Sequence, residues 1–208
     1  MRNMVRIFRS ALLLTTLVTL AACSSLQTVS TPDAEQRAAR TDRLQQLSDW
    51  TLDGRIAVKH QTGGGQGNLL WSQSDDTADI RLSGPLGVGA SRILWMPDEV
   101  VFERAGERLT ERYTGPAAAE TFVRDQLGWQ LPVSSIRFWV LGVPDPAFSY
   151  NEETAADGTL LVLQQRGWKM SYSAFAAVED EVLPQKLVVE NDAVRLRLVA
   201  DSWELSSP

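Results

Sequence analysis

The sequence predicts a mainly β fold: a strongly curved antiparallel sheet with helices over its open, concave side. Three observations predict it. Between Trp50 and Leu198, short segments alternate apolar and polar residues with period two, and glycine, proline or aspartate turns separate them. Two apolar segments with helical spacing interrupt that run in mid-chain. The composition is globular, 44% apolar and 22% charged, and a core of this size folds without disulfides or a structural metal.

The elements follow in order. Arg2, Arg6 and Arg9 precede an apolar stretch, Ala11 to Leu20, that is shorter than a bilayer span and ends in small residues. The first 22 of the 208 residues therefore read as an export signal, which leaves 186 from Cys23 onward. Residues 23–32 are a polar tether, and 33–208 form one domain. Pro32 suits the first position of a helix, with Thr31 as N-cap and Asp33 and Glu35 at the positive end of the dipole. This helix should run to about Ser48. Its apolar face is thin (Leu44, Leu47), so it should lie on a surface.

Strands are expected over Thr51–His60, Asn68–Gln73, Ala78–Ser83, Ser91–Met96, Glu99–Arg104 and Arg108–Tyr113. Gly63 to Gly67 reads as the turn between the first two. Pro116 opens a helix over Ala117–Leu127, closed by Gly128. Pro132 opens a second, in which Ile136, Trp139 and Val140 recur at helical spacing before Gly142. Strands resume over Thr159–Gln165, Trp168–Ser173, Lys186–Glu190 and Ala193–Leu198. A sheet of so many consecutive hairpin strands curls. It must close into a barrel or be filled on its concave side, and the two mid-chain helices are placed to fill it. Such a shape can enclose an apolar cavity.

Charge and motif content exclude several function classes. Of 20 basic and 26 acidic residues, three basic ones and no acidic ones fall in the first 22 positions, so the balance from Cys23 onward is 17 to 26. That speaks against a nucleic-acid partner and against a polybasic membrane patch. A lone Cys cannot form an internal disulfide, and a lone His (His60) cannot form a His-rich metal site. The chain has no nucleophile elbow, zinc-protease motif or phosphate loop, and the Gly63–Gly67 cluster lacks the lysine of the last. The carboxylate pairs Asp75-Asp76 and Glu152-Glu153 read as turn residues. No enzyme activity, cofactor or metal is expected.

What the chain does carry is apolar. Tryptophans at 50, 71, 95, 129, 139, 168 and 203 can pack a core or line a cavity for hydrocarbon, and composition does not separate the two. The loop Gly84-Pro85-Leu86-Gly87-Val88-Gly89 places Leu86 and Val88 at a flexible tip. Leu86 either folds back onto the sheet or stands out as an apolar finger toward a membrane or a partner. Leu20-Ala21-Ala22-Cys23 resembles the lipobox of bacterial lipoproteins, in which the cysteine is acylated and becomes the new N-terminus. Ser24, in place of the aspartate associated with inner-membrane retention in enteric bacteria, suggests the outer membrane.

Several residues taken together resemble the LolB family. They are the lipobox, Gly54-Arg55, Trp71, the Gly84-Pro85-Leu86-Gly87 loop, the Pro132–Gly142 segment, Trp168 with Tyr172, and Val194-Arg-Leu-Arg-Leu with Trp203. The resemblance covers about Trp50 to Trp203. It implies an unclosed β-barrel, LolA/LolB-like, with helices over its mouth and an apolar cavity inside. Candidates for the cavity wall are Trp71, Leu82, Trp95, Phe102, Ile136, Trp139, Val140, Trp168 and Tyr172. The family's protruding-loop leucine maps onto Leu86, flanked by Pro85, Gly87 and Val88, which favours exposure of that loop at the membrane. The implied function is an acceptor on the inner leaflet of the outer membrane, anchored through Cys23. It takes lipoproteins from the LolA carrier, holds their acyl chains and inserts them into the bilayer, acting as a monomer. The alternatives are a scaffolding lipoprotein whose tryptophans are all core, and an enzyme on envelope glycans with two facing carboxylates.

Overall fold

A computed structural model describes residues 32–107 and 109–206. The signal segment, Cys23 and the tether up to Thr31 lie outside the described residues. The chain forms helix α1 (Pro32–Gln45), then strands β1 (Trp50–His60), β2 (Gly63–Ser74) and β3 (Thr77–Ser83), a 3-10 turn (Pro85–Gly87), and strands β4 (Ser91–Met96), β5 (Glu99–Arg104) and β6 (Glu111–Thr114). Helices α2 (Ala118–Leu127) and α3 (Val133–Val140) follow. The remainder is β7 (Tyr150–Thr154), β8 (Leu160–Gln165), β9 (Trp168–Val178), β10 (Glu181–Glu190) and β11 (Val194–Leu205).

The eleven strands make one sheet in the order β6-β5-β4-β3-β2-β1-β11-β10-β9-β8-β7. Every paired neighbour is antiparallel, and the strands are consecutive in the chain except where β1 meets β11. That pairing runs the full length of both strands and joins the two meanders. β6 and β7 remain as free edges, so the barrel is unclosed, as expected.

The sheet bends where β1 and β11 slip register between Asp53 and Gly54, leaving Asp201 as the extra residue of a bulge. The backbones approach so closely there that a Cβ on Gly54 would stand 2.2 Å from the Val199 carbonyl oxygen. Arg55 then clamps the bulged residue, donating from Nη2 (2.7 Å) and Nε (3.1 Å) to the two Asp201 carboxylate oxygens.

Several elements differ from expectation: β6 starts at Glu111 rather than Arg108, and β9 and β11 run on to Val178 and Leu205 rather than stopping at Ser173 and Leu198. Gly63 to Gly67 is the first half of β2, paired with β1 from His60 to Ile56; partnership with a long central strand overrides turn-like composition. The edge strand β7 was not anticipated, because Tyr-Asn-Glu-Glu-Thr is exposed throughout and shows no alternation. β10 starts five residues earlier than expected and carries Pro184 at a register shift, where a missing N–H is tolerated.

Helix α1 ends at Gln45 rather than Ser48, and it is pinned more firmly than its thin apolar face suggested. Leu44 is 1% exposed. Arg43 pairs with Glu181 at 2.6 Å, Arg40 donates to the Val182 carbonyl at 2.5 Å, and Gln45 donates to the Pro144 carbonyl at 2.9 Å.

The interior is built in two parts. On the β8–β9 side α3 is locked by buried polar groups. The Gln165 carbonyl accepts from Trp139 Nε1 (2.8 Å) and from the Asp145 amide (2.9 Å), while its amide donates to the carbonyls of Asp145 (2.9 Å) and Phe148 (2.8 Å). Ser135 donates to Asp145 at 2.6 Å, and Tyr172 donates to the Trp139 carbonyl at 2.9 Å. Burial pushes the Tyr172 phenol far above its ordinary pKa, so it stays a neutral donor. Trp50 packs against Trp71 and Trp203, with ring centroids 5.1 and 5.5 Å apart.

Candidate functional site

The other part of the interior is not filled. The inward faces of β1–β5, β10 and β11 and the facing sides of α2 and α3 enclose a cavity of about 600 Å³. Its wall follows from the period-two alternation: Ile56 and Val58 from β1, Leu69 and Trp71 from β2, Ile80 and Leu82 from β3, Ile93 and Trp95 from β4. Leu187, Val189, Leu196 and Leu198 continue it across β10 and β11. Phe122 and Val123 of α2, Trp129 after it, and Ile136 and Val140 of α3 form the roof. The few polar groups, among them His60, Gln66 and Ser83, lie at the end away from the Trp50 cluster. Such a wall suits hydrocarbon.

Of the residues singled out for this wall, Trp71, Leu82, Trp95, Ile136 and Val140 line it. Four do not. Phe102 is covered by Phe122, with ring centroids 5.3 Å apart. Trp139 turns away from Ile136 and Val140 toward Gln165 and is fully buried. Trp168 packs near Trp129 at 6.5 Å, and Tyr172 lies under α1 and α3 beside Phe175. For the last three the reason is topological: α3, α1 and the Gln165 network fill the β8–β9 side of the sheet, so aromatic residues there become core. The residues not singled out, such as Ile56, Val58, Leu196 and Leu198, carried a visible signal in their alternation.

The loop after β3 is self-contained. The Gly84 amide donates to the Val88 carbonyl (2.8 Å), Gly87 to Gly84 (3.0 Å) and Val88 to Pro85 (3.3 Å). Pro85 and Gly87 are exposed, and Val88 is 72% exposed at the tip. The side chain of Leu86 lies outside the described residues. Among the described residues, no cluster of His, Cys, Asp or Glu is placed to hold a metal, and no helix is long and apolar enough to cross a membrane.

The fold is similar to that of a solved LolA superfamily protein from Nitrosomonas europaea, which matches with a TM-score of 0.54 over 82% of this chain and 94% of its own, at 7% identity, a likeness of fold alone. The family described as outer membrane lipoprotein LolB matches residues 48–203. The outer-membrane lipoprotein LolB of Pseudomonas putida is 35% identical over 172 residues, 83% of this chain and 82% of the relative. That of Nitrosococcus oceani is 34% identical over 201 residues, 95% and 98% of the two chains. The chain belongs to the LolB family, whose members are outer membrane lipoproteins and not enzymes.

Proposed function

We propose that the chain is an acceptor that receives lipoproteins from a carrier of the LolA superfamily, holds their acyl chains in the cavity and inserts them into the outer membrane. The observation that carries this reading is the unfilled cavity of about 600 Å³ with an apolar wall; a scaffold with a fully packed interior would have no use for it. The chain itself is held to the inner leaflet through acylated Cys23 and acts as a monomer. Exposing an acyl chain to water costs of order ten kcal/mol, at roughly 0.8 kcal/mol per CH₂. Cargo therefore passes directly from one apolar cavity to another, a nearly neutral exchange that requires no nucleotide. The loop at Pro85–Val88, with Leu86 and Val88 at its tip, touches the bilayer and lowers the barrier to release.

The test is transfer from lipoprotein-loaded carrier to the wild-type chain and to Leu86→Glu. Cargo should move to both, and insertion into vesicles should fall about tenfold or more for the variant, since a charge at the membrane interface replaces an apolar contact. Absence of transfer to the wild-type chain would overturn the acceptor reading.

A further inference from the structure

The wall of the cavity has a gap on one side. β2 pairs with β1 along its whole length, from Gly63 opposite His60 to Gln73 opposite Trp50. Its pairing with β3 begins only at Asn68 opposite Ser83. Gly63 to Gly67 therefore overhangs β3 by five residues, roughly 17 Å of strand at about 3.3 Å each. At its β3 end the overhang meets the start of the Gly84–Gly89 loop instead of a strand, with Gly67 against Ser83 and Gly84. Both banks of this gap, Gly64, Gly65 and Gly67 on one and Ser83, Gly84 and Gly89 on the other, border the cavity itself.

Gly65 is the position that folding does not explain. A Cβ on Gly64 would stand 2.4 Å from the Val58 carbonyl oxygen, and one on Gly67 2.5 Å from that of Ser83, so neighbouring backbone demands glycine at both. At Gly65 a Cβ would meet nothing within 4 Å, and the residue is not among those with positive φ. Glycine in a strand weakens it; β2 has no register shift against β1 and no backbone crowds Gly65, which leaves a bend of the strand or close approach of a ligand as the common reasons for it. Gly65 lies across from Val58, which lies in turn across from Leu196, and both neighbours line the cavity. A side chain at 65 would extend that row into the gap.

We propose that this gap is a lateral port through which a cargo acyl chain leaves the cavity beside the Pro85–Val88 loop, and that Gly65 is its threshold. The inference rests on the acceptor reading above. It places the exit next to the segment that meets the bilayer, so a chain need not rise past the helix roof into water.

The test uses the full chain in vesicles of phosphatidylethanolamine and phosphatidylglycerol, with a pyrene-labelled diacylglyceryl lipopeptide as probe. Uptake is read from quenching of tryptophan fluorescence, and release into the bilayer from pyrene excimer emission. Gly65→Leu should slow release about tenfold, the effect of diverting roughly two methylenes into water at the crossing, without lowering the melting temperature. Lys59→Leu, exposed on β1 opposite Gly64 and outside the cavity wall, should release at the wild-type rate. Release by Gly65→Leu at the wild-type rate would overturn the port while leaving the acceptor reading intact. A lower melting temperature in Gly65→Leu would make the glycine structural and equally overturn it. If the wild-type chain takes up no probe, the acceptor reading falls and the port with it.

Discussion

At the scale of single residues, Gly54 on β1 and Gly65 on β2 have opposite surroundings: a Cβ at Gly65 would meet open space, and one at Gly54 would meet backbone. Gly54 sits where β1 and β11 slip register, and the Val199 carbonyl oxygen occupies the space a methyl group would need. Gly54→Ala must push the strands apart along the seam that joins both halves of the sheet. We expect it to destabilise the fold by about 2–3 kcal/mol, read from chemical denaturation. A variant within about 0.5 kcal/mol of wild type would mean that the seam relaxes freely. Asp79 illustrates a residue whose charge matters. Arg92 donates to its two oxygens at 2.8 and 3.0 Å, and Arg81 adds a bond at 3.2 Å. The bond from Arg92 above all holds the Asp79 carboxyl below its ordinary pKa, against a partial desolvation. Its contribution is therefore complete above the unfolded value of about 3.9 and is lost as pH falls through the lower folded value. Asp79→Asn should lower the denaturation midpoint at pH 7, and the gap from wild type should close as pH falls below the unfolded value of about 3.9. A gap that stays constant with pH would assign the effect to packing.

At the scale of elements, the two roof helices differ in how they are held. α3 is eight residues long, six of them buried, and it is tied down through Trp139, Ser135 and the Gln165 network. α2 has no side-chain N-cap and ends at Gly128 in the left-handed conformation. It rests on β5 and β6 through Phe122, buries Ala118 and Val123 beside it, and makes partly exposed bonds from Gln126 to Glu111 and Tyr113. β6 is itself a free edge of four residues. Few buried contacts and solvent-accessible bonds mean low local stability. Amide exchange in α2 should be on the order of a hundredfold faster than in α3, measured by mass spectrometry; equal protection would show one rigid roof. The opposite free edge, β7, is defended by composition. Its exposed Glu152 and Glu153 make edge-to-edge pairing with another chain unfavourable. The same polarity made the strand hard to read from sequence, because a strand without a buried face has no alternation.

At the scale of the whole molecule, alternation and turn chemistry were enough to anticipate a curled antiparallel sheet with two helices against it. Ile56 with Val58, Leu69 with Trp71 and Ile80 with Leu82 announce an inward face wherever they stand in the chain, since period two is a local property. Helix starts at Pro32 and near Pro132 were legible for the same reason: proline fits a first turn whatever the tertiary context. Which inward-facing side chains border empty space and which are buried in packed core was not legible. Trp71 and Trp95 read no differently from Trp139 and Trp168, yet the first two line the cavity and the others do not. That division depends on where α1 and α3 come to rest and on the buried bonds of Gln165, contacts between residues 20 or more apart in sequence. Likewise, the cluster at Gly63 to Gly67 has the composition of a turn, and only its partnership with β1 makes it strand. Local propensity and periodicity determined most of the elements, and short motifs carried the family resemblance, because each needs only neighbours in the chain. The cavity, its contents of empty space and the overhang beside it were decided by tertiary structure, because they are set by the registers and packing of elements that meet only once the chain has folded.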